Sequence, residues 1–350
     1  MSFPQKTKDL LTQVQSIKDQ ITLMEVCGTH TMNIAKAGIR SMLPNNIRII
    51  SGPGCPVCVS SSKDIYKAIE LAKREDVIVA SFGDMLKVPC LDDSLINYKN
   101  VKIIYSPIDA LKLAKDNPDK KVVLLGVGFE TTTPAIASTI VCAKKYDINN
   151  FFVLCMHKVV PPAIEVIIKN KDNKIDGFIL PGHVAVITGS SYFDFIAAEG
   201  GRGVVTGFDT INMLDSICEL VVMASKKEKK IINNYGSVVS GDGNKKAQGI
   251  TKEVFDVCDT DWRGIGVIKD SGLKISNNYS EFDVEKKFEI KDKDIKDPAG
   301  CICGQVLMGI KAPTDCKLYS GACTPSNPVG PCMVSSEGTC AAYYKYMQNA

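Results

Sequence analysis

No apolar run in this sequence approaches the roughly 20 residues that cross a bilayer; the longest stretches, such as 122–129, are far shorter. Residues 1–21 lack the apolar core of an export signal, so a cytoplasmic protein with no membrane attachment is expected. Excess charge is missing too. Lys and Arg number 42 against 39 Asp and Glu, which leaves no strong field to draw nucleic acid or acidic lipid. No Gly-rich loop ends in Gly-Lys-Ser/Thr, so a triphosphate would lack its cradle. Gly126-x-Gly128 starts like a dinucleotide fingerprint, but Thr131 stands where the third Gly belongs. The next strand runs into Cys155-Met-His157 instead of an acid, and a nicotinamide site is unsupported. Disorder is excluded as well, because 45% hydrophobic and 23% charged residues over 350 positions suffice for two or three packed domains.

What is abundant is cysteine. Fourteen thiols in a chain with no export signal should stay reduced, so metal or redox chemistry is a better expectation than a disulfide framework. Six of them fall in residues 301–350, and two form Cys55-Pro-Val-Cys58.

From 49 to 210, short β-branched runs alternate with longer amphipathic stretches, the pattern of βαβ units. Strands are predicted at 48–51, 77–81, 101–105, 122–127, 151–155, 177–180 and 204–206, and helices at 63–74, 107–115, 134–146, 161–170 and 209–226. The strands form two groups, 48–105 and 122–206, which predicts an α/β protein with two Rossmann-like parallel-sheet lobes and no clear repeat between them. Residues 281–297 hold twelve charged residues in seventeen, with Phe282, Val284, Phe288 and Ile290 at even positions, and this alternation predicts a half-exposed strand. The Cys-, Gly- and Pro-rich tail from 298, with a helix predicted at 335–347, suggests a smaller C-terminal domain around a metal centre. The expected boundaries are 1–118 for the N-terminal segment and first lobe, 119–230 for the second lobe and 231–350 for the C-terminal domain.

The tail carries Cys301, Cys303, Cys316, Cys323, Cys332 and Cys340. Thiolates on loops, with Gly and Pro to turn the chain and bring amides to the sulfurs, suit a Cys₄ iron–sulfur cluster. Zinc would also take four thiolates, although the tail lacks the paired C-x₂₋₄-C knuckles of structural zinc sites. Twelve, six and sixteen residues separate Cys303, Cys316, Cys323 and Cys340, a spacing that leaves the metal open.

Cys55 and Cys58 follow a predicted strand and precede a predicted helix, where a helix N-terminus can lower thiol pKa values. C-x-x-C at such a turn is redox-disulfide geometry. Glu25-Val-Cys-Gly-Thr-His-Thr places Cys27 at a helix entrance, where partial thiolate character is expected, with His30 three residues on as base, ligand or hydrogen-bond donor. Ligands collect at the carboxyl ends of open parallel sheets. The loops 81–84, 126–133, 181–183 and 200–203 offer Asp84, Glu130, His183 and Arg202 there, which become functional if they converge with the thiols on one cleft. Cys90, Cys142, Cys155, Cys218 and Cys258 are expected in the core.

Together, Glu25-Val-Cys-Gly-Thr-His-Thr, Gly52-Pro-Gly-Cys-Pro-Val-Cys, Gly128-Phe-Glu-Thr-Thr, Pro181-Gly-His-Val and Cys332-Met-Val-Ser-Ser-Glu-Gly-Thr-Cys-Ala-Ala-Tyr-Tyr resemble the HypD family of [NiFe]-hydrogenase maturation factors. The resemblance runs from about residue 24 to the C-terminus. It implies a scaffold on which the Fe(CN)₂CO unit of the hydrogenase site is assembled, with a small HypC-type chaperone and a HypE-type cyanide donor as partners. It further implies that Cys27 holds the iron and that Cys55 and Cys58 form a redox pair in the cleft. Cys303, Cys316, Cys323 and Cys340 would ligate a [4Fe-4S] cluster, with Cys301 and Cys332 as a second thiol pair. Thiolate is the soft anionic donor that low-spin iron with cyanide and CO requires. Thr29, His30, backbone amides and His183 would line the ligand pocket. Two competing readings come from the residues: an iron–sulfur-dependent protein disulfide reductase and a zinc-stapled interaction protein.

Overall fold

A computed structural model describes residues 3–170, 172–291, 293 and 295–347. The chain is α/β, with two wholly parallel sheets, one antiparallel hairpin and a C-terminal region of short helical turns. Among the described residues no helix is long and apolar enough to cross a membrane.

The first sheet contains β1 (Ile21–Glu25), β2 (Ile47–Ser51), β7 (Gly177–Pro181), β8 (Gly203–Thr206) and β9 (Ile231–Asn233), in the order β2-β1-β7-β8-β9. The second contains β3 (Val77–Ser81), β4 (Val101–Ile103), β5 (Lys121–Gly126) and β6 (Phe151–Cys155), in the order β4-β3-β5-β6. This grouping differs from the expected one. Strands 77–81 and 101–103 do not join 47–51; they pair with each other, 77–81 pairs on its other side with 121–126, and 177–181 and 203–206 return to the first sheet. The physical reason is β1, a five-residue strand ending in Glu25 that gives no apolar run in the sequence. As a central strand it needs neighbours on both sides and takes β2 on one and β7 on the other. The close seat of β7 under the helix Thr210–Ser225 requires Gly177, where a Cβ would stand 2.8 Å from Leu220 Cδ1.

Every residue of β3, β7 and β8 is buried, and β1, β2, β5 and β6 are buried at all but one residue each. This is why they read as continuous apolar runs and not as alternating ones. Asn100 and Asn150, immediately before β4 and β6, each donate through Nδ2 to three carbonyls, tying down the loops at the amino ends of the second sheet. The carboxyl ends are left to form the site.

The hairpin of β10 (Phe255–Trp262) and β11 (Gly266–Ile275) joins sheet, core and tail. Trp262 is fully buried and donates through Nε1 to Ser271 Oγ at 2.8 Å. The backbone N–H of Arg263 bonds Val59 O, and its guanidinium meets Asp297 Oδ1 at 3.1 Å. Gly264 lies against Gly304 so closely that a Cβ on Gly304 would sit 2.0 Å from Gly264 O.

The strand predicted across 281–297 is absent over 281–291. Residues Asn277–Phe282 form a 3₁₀ segment and Val284–Lys287 one helical turn, which Asp283 caps by accepting from Glu285 N–H. Phe282 and Val284 are both buried and Phe288 meets Phe152 edge-on at 5.3 Å, so the even-numbered apolar residues point inward from turns, not from a pleat. Within the tail the terminal helix covers Thr339–Tyr346, shorter than the 335–347 expected. Of the cysteines expected in the core, Cys90 and Cys218 are buried, whereas Cys142, Cys155 and Cys258 are partly exposed.

Candidate functional site

The carboxyl ends of both sheets face one cleft of about 510 Å³. Pairing of Glu25 with Ser51 brings the loops after β1 and β2 out side by side. Gly28 N–H donates to Gly54 O at 3.0 Å, and a Cβ on Gly54 would stand 2.1 Å from Cys27 N. These loops contribute Cys27, Thr29 and Pro56 to the cleft. The loop after β3 adds Asp84, the loop after β5 adds Phe129 and Thr131, and the loop after β7 adds His183. Glu337, which the sequence reading did not single out, reaches in from the tail and accepts from Thr29 Oγ1 at 2.7 Å. Its signal lay inside the Cys332–Cys340 segment, masked by the cysteines around it.

Cys27 caps the helix Gly28–Lys36. Burial pushes its thiol up to about 12, outweighing the nearby N–H groups of His30 and Thr29, so the thiolate character expected from its helix entrance is not present in the protein alone. Glu25 sits behind it, fully buried, with Oε1 accepting from Thr31 Oγ1 and Oε2 from Cys27 N–H. Burial lifts this carboxyl from 4.5 to about 7. The folded chain therefore keeps a proton that the unfolded chain has lost between those values, and stability falls as pH rises through that window. Glu25→Gln should flatten the fall by about 3 kcal/mol, read as unfolding free energy at pH 4.5 and 7.5; equal slopes in both chains would refute the assignment.

The two motif histidines lie on either side of one phenyl ring. His30 is fully buried and stacks on Phe208 at 4.6 Å; His183, at the cleft, stacks on the same ring at 3.8 Å. His30 Nε2 is 3.0 Å from Gly207 O, a contact a neutral imidazole makes as donor, and burial lowers its pKa to about 4. It does not line the cleft. Glu130 does not either; its carboxyl turns away into a separate cavity. Arg202 precedes β8, at the amino end of that strand, and donates to the Glu228 and Asp176 carbonyls, so the loop 200–203 is structural.

Cys55 and Cys58 lie behind the wall made by Pro56 and Val57, both sulfurs buried and facing inward. Cys58 contacts Cys55 and also Cys332 of the tail; the contact with Cys332 lowers its thiol pKa, but the contact with Cys55 and burial outweigh it and leave the thiol well above the ordinary value, so the lowering expected from a helix entrance is not seen. Cys332 in turn contacts Cys303 and Cys340, and Cys301 Sγ donates to Cys303 Sγ at 3.1 Å. A series of thiols thus runs Cys55, Cys58, Cys332, Cys303, Cys301.

In the tail, Cys301, Cys303, Cys316, Cys323 and Cys340 face one hollow walled by Ile302, Val306, Leu318 and Met333. Val329 N–H donates to Cys323 Sγ at 3.3 Å. A Cβ on Gly330 would stand 2.7 Å from the sulfurs of both Cys301 and Cys303, so glycine keeps that space open. Among the described residues no three Cys, His, Asp or Glu side chains already stand in metal-holding geometry. The fit of an iron–sulfur cluster rests on donor chemistry: soft thiols, apolar walls and an amide aimed at sulfur.

The profile of the HypD family, described as the hydrogenase formation hypA family, matches residues 4–347. The hydrogenase maturation factor HypD2 of Bradyrhizobium diazoefficiens is 42% identical over 336 residues, covering 92% of this chain and 88% of its own. The hydrogenase maturation factor HypD of Escherichia coli is 42% identical over 334 residues, covering 94% and 90%. That of Cupriavidus necator is 41% identical over 336 residues, covering 92% and 89%.

Proposed function

This chain belongs to the HypD family, and from that premise we propose that it is a hydrogenase maturation factor whose cleft holds an iron carrying cyanide and carbon monoxide, with Cys27 as its thiolate ligand. One observation carries the reading: the only cysteine lining the cleft among the described residues is Cys27, at the meeting point of both sheets. Thiolate suits such iron, and ligation would displace the proton that burial otherwise keeps on the sulfur. The hydroxyl of Thr131 and the imidazole of His183 can hydrogen-bond cyanide nitrogens without competing for the metal. A HypC-type chaperone would supply a further ligand, and a HypE-type protein the cyanide.

Thiol–disulfide exchange can run from Cys55/Cys58 to the tail because Cys58 touches Cys332. Cys332 contacts Cys303 and Cys340, whereas Cys301 contacts Cys303, so we assign Cys303 and Cys332 as the second thiol pair and keep Cys340 as a cluster ligand. Cys301, Cys316, Cys323 and Cys340 are then left to hold a [4Fe-4S] cluster, and Cys301 and Cys303 exchange the places implied by family resemblance. Bound there, the cluster would supply one-electron redox chemistry beside the pair. Cys301→Ser should cost most of the roughly four iron and four sulfide per chain, while Cys303→Ser keeps them. Elemental analysis of anaerobic protein giving the reverse would restore the other assignment.

Infrared spectroscopy of the chain purified without oxygen, alone and with its chaperone, tests the whole reading. Cyanide and CO stretching bands on the complex support it; their absence in protein grown with ample iron overturns it.

A further inference from the structure

The loop after β5 lines the cleft with Phe129 and Thr131, yet the residue between them points elsewhere. Glu130 enters a second cavity of about 290 Å³, bounded by the helix Lys245–Val254, the hairpin of β10 and β11, and the end of the helix Gly182–Thr188, and open to solvent on one side. Its walls are mainly apolar, with Val159, Ile187, Phe255 and Leu273.

Two buried polar atoms in this cavity have no partner. Glu130 is 8% exposed; its Oε1 accepts from Val160 N–H and from Tyr192 Oη–H, each at 2.8 Å, while the buried Oε2 has no partner. Thr251 Oγ1 is also buried without a partner. The uncharged polar groups nearby are occupied: Thr133 bonds Phe129 O, Thr188 bonds Val184 O, and the Gln248 amide donates to Ile187 O; Lys252 also lines the cavity, as an exposed residue on its rim. A buried carboxylate oxygen with nothing to accept from is costly, and a donor placed against it removes that cost.

We propose that this cavity binds a small organic cation, a primary ammonium on a compact apolar body, with its N–H groups received by Glu130 Oε2 and Thr251 Oγ1. Burial raises the Glu130 carboxyl only to about 6, so it is ionised at pH 7.5 and can make a charge-assisted hydrogen bond. The apolar walls take the body of the ligand, as in small-molecule sites generally. The proposal is independent of iron binding at Cys27 and is read without it.

The test uses the full chain at pH 7.5, with benzylammonium chloride and its neutral isostere benzyl alcohol as probes, followed by ligand-observed NMR. Benzylammonium should bind saturably to one site, at least tenfold more tightly than the alcohol. Glu130→Gln should weaken it at least tenfold. Thr251→Leu removes the hydroxyl and narrows the cavity without touching the loop, and should do the same; it keeps the test alive if the Glu130 variant misfolds. Equal affinity for the two probes, unchanged binding in Thr251→Leu, or no saturable binding at millimolar probe would overturn the proposal.

Discussion

In Cys27→Ala, the cyanide and CO stretching bands of the anaerobically co-purified complex should vanish, while iron and sulfide in the tail remain at the natural level. Residue 27 is held through its own backbone and not through its side chain: its N–H donates to Glu25 Oε2, and the next N–H bonds Gly54 O. The Cys27 side chain makes no capping hydrogen bond, so alanine removes a sulfur and little else, and folding should be kept. No other soft donor can take over. Cys55 and Cys58 are buried behind Pro56 and Val57, and His30 is buried against Phe208 with Nε2 at Gly207 O. Bands that survive the substitution would sink Cys27 as the iron ligand and favour the disulfide-reductase reading, whose chemistry needs only the inner thiols.

Gly54→Ala should be nearly as damaging by a different route. A Cβ there would stand 2.1 Å from Cys27 N, 2.3 Å from Val26 C and 2.5 Å from Cys27 Cα. All three are backbone atoms of a loop fixed by a parallel strand on either side, and no rotamer change can relieve the clash. The two loops must separate, at about 1–3 kcal/mol for an overpacked interior, and Cys27 moves relative to the cleft. We expect a lowered melting temperature and loss of the infrared bands together. Gly83 also lines the cleft, but a Cβ on it would meet nothing within 4 Å, so Gly83→Ala is the matched control and should melt like the natural chain. If both variants melt alike and both keep the bands, the close approach of the two loops is not what places Cys27.

Most predicted strands formed within a residue or two of where the apolar runs placed them, because parallel strands buried on both faces must be apolar throughout. The failures share a cause. Ile21–Glu25 is short and ends in an acid, yet it is a central strand because Glu25 is buried against Thr31 and Ser51. The alternation at 282–290 looked like a pleat, but a capped turn sends Phe282 and Val284 inward without one. Local pattern records which residues avoid water; it does not record what covers them. The same holds for the site. Cys27, Asp84 and His183 reach one cleft as their positions after strands suggested, whereas Glu130 turns into another cavity and His30 packs behind a phenyl ring.

The amino-acid order alone determined the α/β class, the family, and where the cysteines cluster along the chain, since residue type and spacing are properties of the chain itself. Which strands share a sheet, which thiol touches which, and which acid faces the cleft were decided only by tertiary packing. Those relations join residues up to some three hundred positions apart, such as Thr29 and Glu337, and contacts at that distance are selected by the fit of buried surfaces, which no local periodicity encodes.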